Sequence, residues 1–521
     1  MRARTGSSRP AAHRVRQPPR RRGSALLAAL ALVIAGAGLI SQDRLLDQAG
    51  NTAASARPLS AEEAQRLASM RQTNHDHGHA AVRVTIGEGT AAARYTGWVD
   101  WRHPMVYLGQ LAPPAGSVTG DQERIVRLIQ AVPGLVAVRE GDPFSPDVIA
   151  AAPETGPLYP PAQPPPDGWR VRQPGADGPP GAPGEPGTVD AVLVQLLASG
   201  TEQADSAQLL ADSEARWLRR DRAAGYEVDV LLGPAIPPAE PVADPADPES
   251  ARDRSLAGMG GAVQYWLDRQ GRLHRMEALL TEQVSLRIDL DRADQTAPPV
   301  VDALGGAAIE PRPVTEAEAE ILAQLPLRNH QVAGGEVRLR LPAEDGVTVS
   351  ARGWLDWRHR FAYLASYRDG APAGLLWADG SGIATRTDLP PQAGMPPLPP
   401  PAGGGWQWSP WHERRDEQGG FDLDVLLNEA LSWGAWQGED SEPIRQVARW
   451  LRRDELAGTP VDVYEIPQPA EAELLPGQAR LRYWVSRADG VLLRLEVRGR
   501  SGGFGQLDVT PAAIPPLGRA G

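Results

Sequence analysis

The sequence predicts an α+β chain of two tandem units, each an antiparallel sheet of about seven or more strands with two or three helices. The units stand behind one N-terminal transmembrane helix. Three observations carry this. An uncharged run follows an Arg-rich start. Four sequence blocks recur in the same order about 220–255 residues apart. The clearest apolar patterns have period two, the spacing of half-buried strands.

Residues 1–22 contain eight Arg and no acid, and form a cytoplasmic tail. Residues 23–41, built on SALLAALALVIAGAGLI, carry no charge. At about 1.5 Å per residue, they nearly match a bilayer core of about 30 Å. The basic block puts the N-terminus in the cytoplasm and the body outside. This reads as a cell-membrane, single-pass signal-anchor, with a cleaved signal peptide as the alternative. Residues 42–58 form a stalk. The formal charge is −12 and the first 22 residues contribute +8, so the remainder carries −20. An acidic body outside the cell argues against a nucleic-acid partner. Cysteine is absent, which excludes disulfides, thiolate chemistry and a lipid-modified cysteine. All basic residues are Arg, a usage that points to a GC-rich, actinobacterial coding sequence.

The first unit covers residues 59–292, and the second 313–512. Leu59–His75 aligns with Val314–His330, and GWVDWRH (Gly97–His103) with GWLDWRH (Gly353–His359). ARWLRRD occurs at Ala215–Asp221 and again at Ala448–Asp454. Finally, YWLDRQGRLHRME (Tyr265–Glu277) aligns with YWVSRADGVLLRLE (Tyr483–Glu496). A period above 200 residues means domain duplication, since solenoids repeat every 20–50. Residues 293–312 are a linker with prolines at 298, 299 and 311, and residues 513–521 are a tail. Unit 1 carries a Pro/Gly-rich insert, 153–188, expected to be disordered; unit 2 has a Pro-rich loop, 389–405, at the matching place.

Helices are expected over Ala61–Arg71, Val189–Ala198, Glu316–Leu325 and Leu423–Leu431. Strands alternate cleanly elsewhere. Val284, Leu286 and Ile288 share one face, as do Val263, Tyr265 and Leu267. In unit 2, Leu481, Tyr483 and Val485 share a face, and after Asp489-Gly490 so do Leu493, Leu495 and Val497. These twelve residues are the candidate lining of an apolar cavity.

The closing order is a helix, an Arg-Trp-Leu strand, a Val-Asp-Val strand and a Tyr-Trp-(Leu/Val) hairpin, then a final alternating strand. It resembles the LolA-like superfamily, and within it the actinobacterial LppX/LprG lipid-binding lipoproteins. The resemblance implies that each unit is a strongly curved, incomplete barrel closing over helices and holding acyl chains. Two departures stand out: the lipobox cysteine is missing, and the unit occurs twice.

Catalytic chemistry has little to rest on. His75, His77 and His79 alternate, so an extended segment would place three imidazoles on one face, a set suited to zinc or copper. Unit 2 keeps only His330. Asp100 and His103, and Asp356 and His359, read as turn-forming pairs with no nucleophile tied to them. Trp98, Trp101, Trp217 and Trp266 recur as Trp354, Trp357, Trp450 and Trp484, as core or pocket lining. The expectation is therefore a non-catalytic, membrane-anchored extracytoplasmic protein without cofactor, binding a lipid or lipoprotein acyl chain. The alternatives are an envelope sensor or scaffold with protein partners, and a metal-dependent hydrolase at His75, His77 and His79.

Overall fold

The computed structural model describes residues 56–112, 124–141, 158–166, 168–175, 180–236, 263–281, 284–293, 297–342, 347–389, 394–411, 420–468, 471, 474–499 and 502–517. The Arg-rich tail and the expected membrane segment lie outside them. Among the described residues no helix is long and apolar enough to cross a membrane.

In unit 1 the strands are β1 (Arg57–Pro58), β2 (His79–Ile86), β3 (Ala93–Asp100), β4 (Met105–Leu111), β5 (Ile125–Val132) and β6 (Leu135–Glu140). They continue as β7 (Arg170–Arg172), β8 (Arg216–Ala223), β9 (Tyr226–Gly233), β10 (Val263–Leu267), β11 (Leu273–Thr281) and β12 (Val284–Asp291). Helices α1 (Ala61–His77), α2 (Pro186–Ala198) and α3 (Ala207–Asp212) accompany them. All twelve strands join one sheet in the order β1-β8-β9-β10-β11-β12-β2-β3-β4-β5-β6-β7. Among the described residues each pairing is antiparallel, including the junction of β12 with β2 that brings the last strand back beside the first long one.

Unit 2 repeats the plan with β13 (Arg312–Pro313), β14 (Gly334–Pro342), β15 (Thr348–Asp356), β16 (Phe361–Arg368), β17 (Ala371–Asp379) and β18 (Gly382–Arg386). The remaining strands are β19 (Gln407–Pro410), β20 (Arg449–Leu456), β21 (Thr459–Glu465), β22 (Leu481–Ser486), β23 (Leu492–Arg498) and β24 (Phe504–Pro511). Its helices are α4 (Glu316–Val332), α5 (Gly420–Ser432) and α6 (Ser441–Val447). The strand order matches that of unit 1, strand for strand.

Neither sheet closes: β1 and β7 are free edges of one, β13 and β19 of the other. A flat sheet of twelve strands at about 4.8 Å spacing would be over 50 Å wide, too broad for three short helices to cover. Yet residues from β2 to β6 and from β9 to β12 share one cluster with α1, α2 and α3, so the sheet curls around them. The duplication is thus a repeated open barrel, the architecture that the resemblance implies.

The long first helix of each unit starts from a capping box. Ser60 accepts from the Glu63 N–H and Glu63 reaches back to Ser60; Thr315 and Glu318 do the same. Both helices outrun expectation. α1 continues to His77 and stops at Gly78, whose φ of 94° lets its N–H cap Asn74 and His75. α4 continues through Pro326 to Val332.

The insert 153–188 departs from the disorder expected of its composition. Leu158, Trp169 and Val171 are buried in it, and β7 pairs with β6. Pro and Gly dominate the count, but three apolar side chains suffice to dock the chain onto an outer sheet face. Arg57 and Pro58, placed in the stalk from sequence, are the edge strand β1, paired with Trp217 and Arg216 of β8.

Candidate ligand-binding interior

The inner face of each sheet is apolar because period-two strands send every second side chain to it. In unit 1, Val263, Tyr265, Leu267, Val284, Leu286 and Ile288 all lie in the cluster that the helices cover. In unit 2, Leu481, Tyr483, Val485, Leu495 and Val497 do likewise. Leu493 does not. It belongs to a cluster on the opposite face with Leu451, Val461, Val463 and Trp484, and Leu492 faces inward instead. The cause is a β-bulge: Val485 pairs with Leu492 but Trp484 with Arg494, which reverses the parity after the Asp489-Gly490 turn. Unit 1 has the same bulge at His274. In both units the inner face is filled by protein side chains.

The histidine set is not assembled. His75 and His77 occupy the last turn of α1 and His79 opens β2, with Gly78 turning the chain between them. Residues two positions apart on a helix, such as His75 and His77, point about 200° apart, so the one-face geometry of an extended segment is lost. Among the described residues no three His, Asp or Glu side chains gather as a metal site. His103 Nδ1 lies 3.3 Å from Asp100 Oδ2, whose other oxygen accepts the Arg102 and His103 N–H groups. Asp356 and His359 repeat this at 2.8 Å. These are turn-forming carboxylates.

The recurring tryptophans divide by face. Trp98, Trp266, Trp354 and Trp484 lie in outer clusters, away from the helices. Trp217 and Trp450 donate to Asp229 and Asp462 at 3.0 and 2.9 Å, under the guanidinium groups of Arg57 and Arg312. Trp217 and Trp450 also pack against the edges of the interior clusters, and Trp101 and Trp357 are buried within them. Trp101 Nε1 donates to the Leu196 carbonyl and Ser199 Oγ at 3.1 and 2.9 Å; Trp357 Nε1 donates to the Ala430 carbonyl at 3.0 Å. Each therefore ties down the C-terminal end of the helix lying on the inner face, α2 or α5.

A second recurring pair does the same work. Asn74 donates to the Ser199 carbonyl at 2.7 Å, and Asn329 to that of Trp433 at 2.9 Å. Asn329 also accepts the Leu492 N–H, tying the helix end to the hairpin. The signal was available in Thr73-Asn74-His75 and Arg328-Asn329-His330, where the histidines drew attention and the asparagines did the bonding.

The N-terminal ends are held differently. Asp190, on α2, receives both Arg172 nitrogens at 2.6 and 2.8 Å and the Gly175 N–H. Asp422, on α5, pairs with Arg480 at 2.5 Å. α2 and α5 are thus each fixed at both ends, by the Trp and Asn bonds at the C-terminal end and by an ion pair near the N-terminal end.

Polar groups inside are few. The Tyr265 hydroxyl donates to the Pro234 carbonyl at 2.7 Å, and that of Tyr483 to Glu429 at 2.7 Å. Burial pushes both phenols well above their ordinary range, so they stay neutral donors. In unit 1 the Tyr95 hydroxyl and Gln195 Oε1 are buried without a hydrogen-bond partner among the described residues. Burial pushes the Tyr95 phenol up to about 12.

No family model and no curated protein matches the sequence. Solved structures do. The lipoprotein LppX of Mycobacterium tuberculosis is matched over 39% of this chain and 100% of its own, at 10% identity and a TM-score of 0.23. LprF from Mycobacterium bovis is matched over 40% and 99%, at 14% identity and a TM-score of 0.21. A LolA superfamily protein from Nitrosomonas europaea is matched over 39% and 96%, at 10% identity and a TM-score of 0.20. The LolA-like resemblance read from the sequence is met again in these matches, each of which spans less than half of this chain.

Proposed function

We propose that the protein is a non-catalytic, membrane-anchored carrier or receptor outside the cytoplasm. Each unit takes up an apolar ligand, a lipid or the acyl chains of a lipoprotein, between the inner sheet face and the helix lying on it, α2 or α5, which would act as a lid. The observation that carries this reading is how α2 and α5 are held. A helix apolar on nearly every side lies on an apolar, open-edged sheet and is attached at its two ends by polar bonds. Swinging the lid aside would exchange one apolar partner for another. Acyl area buried in its place would contribute about 25 cal/mol per Å². The Tyr95 hydroxyl and Gln195 Oε1, without a hydrogen-bond partner among the described residues, would supply polar contacts for an ester or headgroup in unit 1.

Two measurements test this on the full chain purified from its membrane. Native mass spectrometry is expected to find co-purifying lipid, at up to two equivalents. A fluorescent fatty acid is expected to bind saturably and to be displaced by extracted lipid. Lipid-free protein that also leaves the probe unbound would refute the proposal.

A further inference from the structure

The two interiors differ in their polar groups. Trp101 holds the Leu196 carbonyl as Trp357 holds that of Ala430, and Asn74 holds the Ser199 carbonyl as Asn329 holds that of Trp433. The helices α2 and α5 are therefore in register, and Gln195 stands where unit 2 has Glu429. Tyr265 on β10 and Tyr483 on β22 are matching residues of the two sheets.

In unit 2 this position is supplied with donors. Glu429 Oε1 accepts from the Tyr483 hydroxyl at 2.7 Å and from Trp433 Nε1 at 2.8 Å. In unit 1 both donors are lost to it. Ser199 replaces Trp433, and its hydroxyl donates to the Leu196 carbonyl at 2.7 Å. The Tyr265 hydroxyl turns to the Pro234 carbonyl, and Gln195 Nε2 donates to the Ile236 carbonyl at 3.0 Å. Gln195 Oε1 is left over. It is buried, on a residue 4% exposed, without a hydrogen-bond partner among the described residues. An amide oxygen can only accept.

A second open atom lies at the other end of α2. A Cβ on Gly184, two residues before the helix, would stand 3.8 Å from the Tyr95 hydroxyl. Strand register puts Ala351 at this place in unit 2, since Tyr95 pairs with Val84 and Ala351 with Leu339. A phenol can donate or accept, so Tyr95 favours a polar ligand without choosing its kind. The choice falls to Gln195.

We infer that unit 1 selects a lipid carrying a hydrogen-bond donor, a hydroxyl or an amide N–H, and that Gln195 Oε1 is the acceptor that recognises it. The inference deepens the lipid-binding proposal and rests on it. A donor would complete a buried acceptor that stays unpaired with any other ligand, the situation in which one polar group discriminates most strongly. In unit 2 the tyrosine and the tryptophan already supply the donors, so the two units are not interchangeable.

Competition binding on the full chain in detergent tests it, with a fluorescent fatty acid as the probe. Octadecan-1-ol and its isomer heptadecyl methyl ether are the competitors: the alcohol donates, and the ether only accepts. The alcohol is expected to displace one equivalent of probe at about a tenfold lower concentration than the ether. Equal displacement by the two isomers overturns the inference and leaves the lipid reading standing, whereas a probe that does not bind at all overturns both. Gln195→Met removes the acceptor at similar volume and is expected to bring the two displacement curves together. Partitioning into detergent is the same for both chains, so a variant that keeps the full preference overturns the assignment to Gln195.

Discussion

Two kinds of residue hold each lid, and each can be tested singly. Asn329 satisfies the Leu492 N–H and the Trp433 carbonyl, both buried in the fold. Asn329→Ala would leave both unpaired, at about 1–3 kcal/mol for each orphaned group. The expected loss is about 2–6 kcal/mol from the unfolding free energy of unit 2, read from denaturant titration of the full chain. The glycine after each lid is the second kind. A Cβ on Gly434 would stand 2.5 Å from the Trp357 carbonyl oxygen, and one on Gly200 2.5 Å from Trp101 side-chain atoms. The Trp can reach the helix end only because the chain there has no side chain. Gly434→Val should therefore displace Trp357 and break its bond to Ala430. The check is a blue-to-red shift in tryptophan emission with faster amide exchange in α5; an unchanged lid would contradict the close-approach argument.

At the scale of elements, the first helix of each unit depends on a charged cap. The hydrogen bonds from Arg57 hold Glu63 at about 2, and Arg312 does the same for Glu318, with Ser60 and Thr315 contributing and burial opposing. A carboxylate lowered in the fold contributes stability above its unfolded value and loses it as pH falls through the folded one. Stability is thus expected to fall between about pH 5 and pH 2, by about 1–2 kcal/mol per cap after solvent screening. Glu63→Gln and Glu318→Gln should flatten that limb of the pH–stability curve, and an unchanged limb would remove the caps from the account. The capping boxes were visible as Ser-x-x-Glu and Thr-x-x-Glu, and the long strands as period two. The rest was hidden for physical reasons. β1 and β13 are two residues each, too short for any period to register. The bulge at Leu493 has no local signature, because Leu492 and Leu493 are equally apolar and cross-strand pairing decides which faces inward. The histidines fell on a helix because Gly78, and not the polar run before it, ends α1. What remained out of reach was how α2 and α5 are held: they read as ordinary apolar helices, and the attachments of their C-terminal ends come from residues over 70 positions away.

At the scale of the whole molecule, the duplicated units share a joint that neither could make alone. Gln130 of unit 1 donates to the Pro299 carbonyl at 2.9 Å and accepts the Val301 N–H at 2.6 Å. Val301 and Leu304 sit in the unit-1 patch of Trp98, Tyr107 and Trp169, while Asp302 between them turns to Arg494 of unit 2. Side chains of one short segment thus alternate between two sheets. Around it, Arg340 donates to the Pro166 carbonyl at 3.0 Å, and the Thr348 hydroxyl to that of Trp169 at 3.2 Å. Two domains joined this way should unfold with coupled transitions, whereas independent ones unfold separately. Val301→Asp places an unpaired charge against the aromatic patch and should break the unit-1 half of the joint while leaving Asp302 on Arg494. In scanning calorimetry the variant is expected to show two resolved transitions where the native chain shows a merged one. The lower transition belongs to unit 1, because its patch loses the covering that Val301 and Leu304 provide, while unit 2 keeps Asp302 on Arg494. Superimposable native and variant traces would mean that the joint orders the chain without linking the stability of the two barrels.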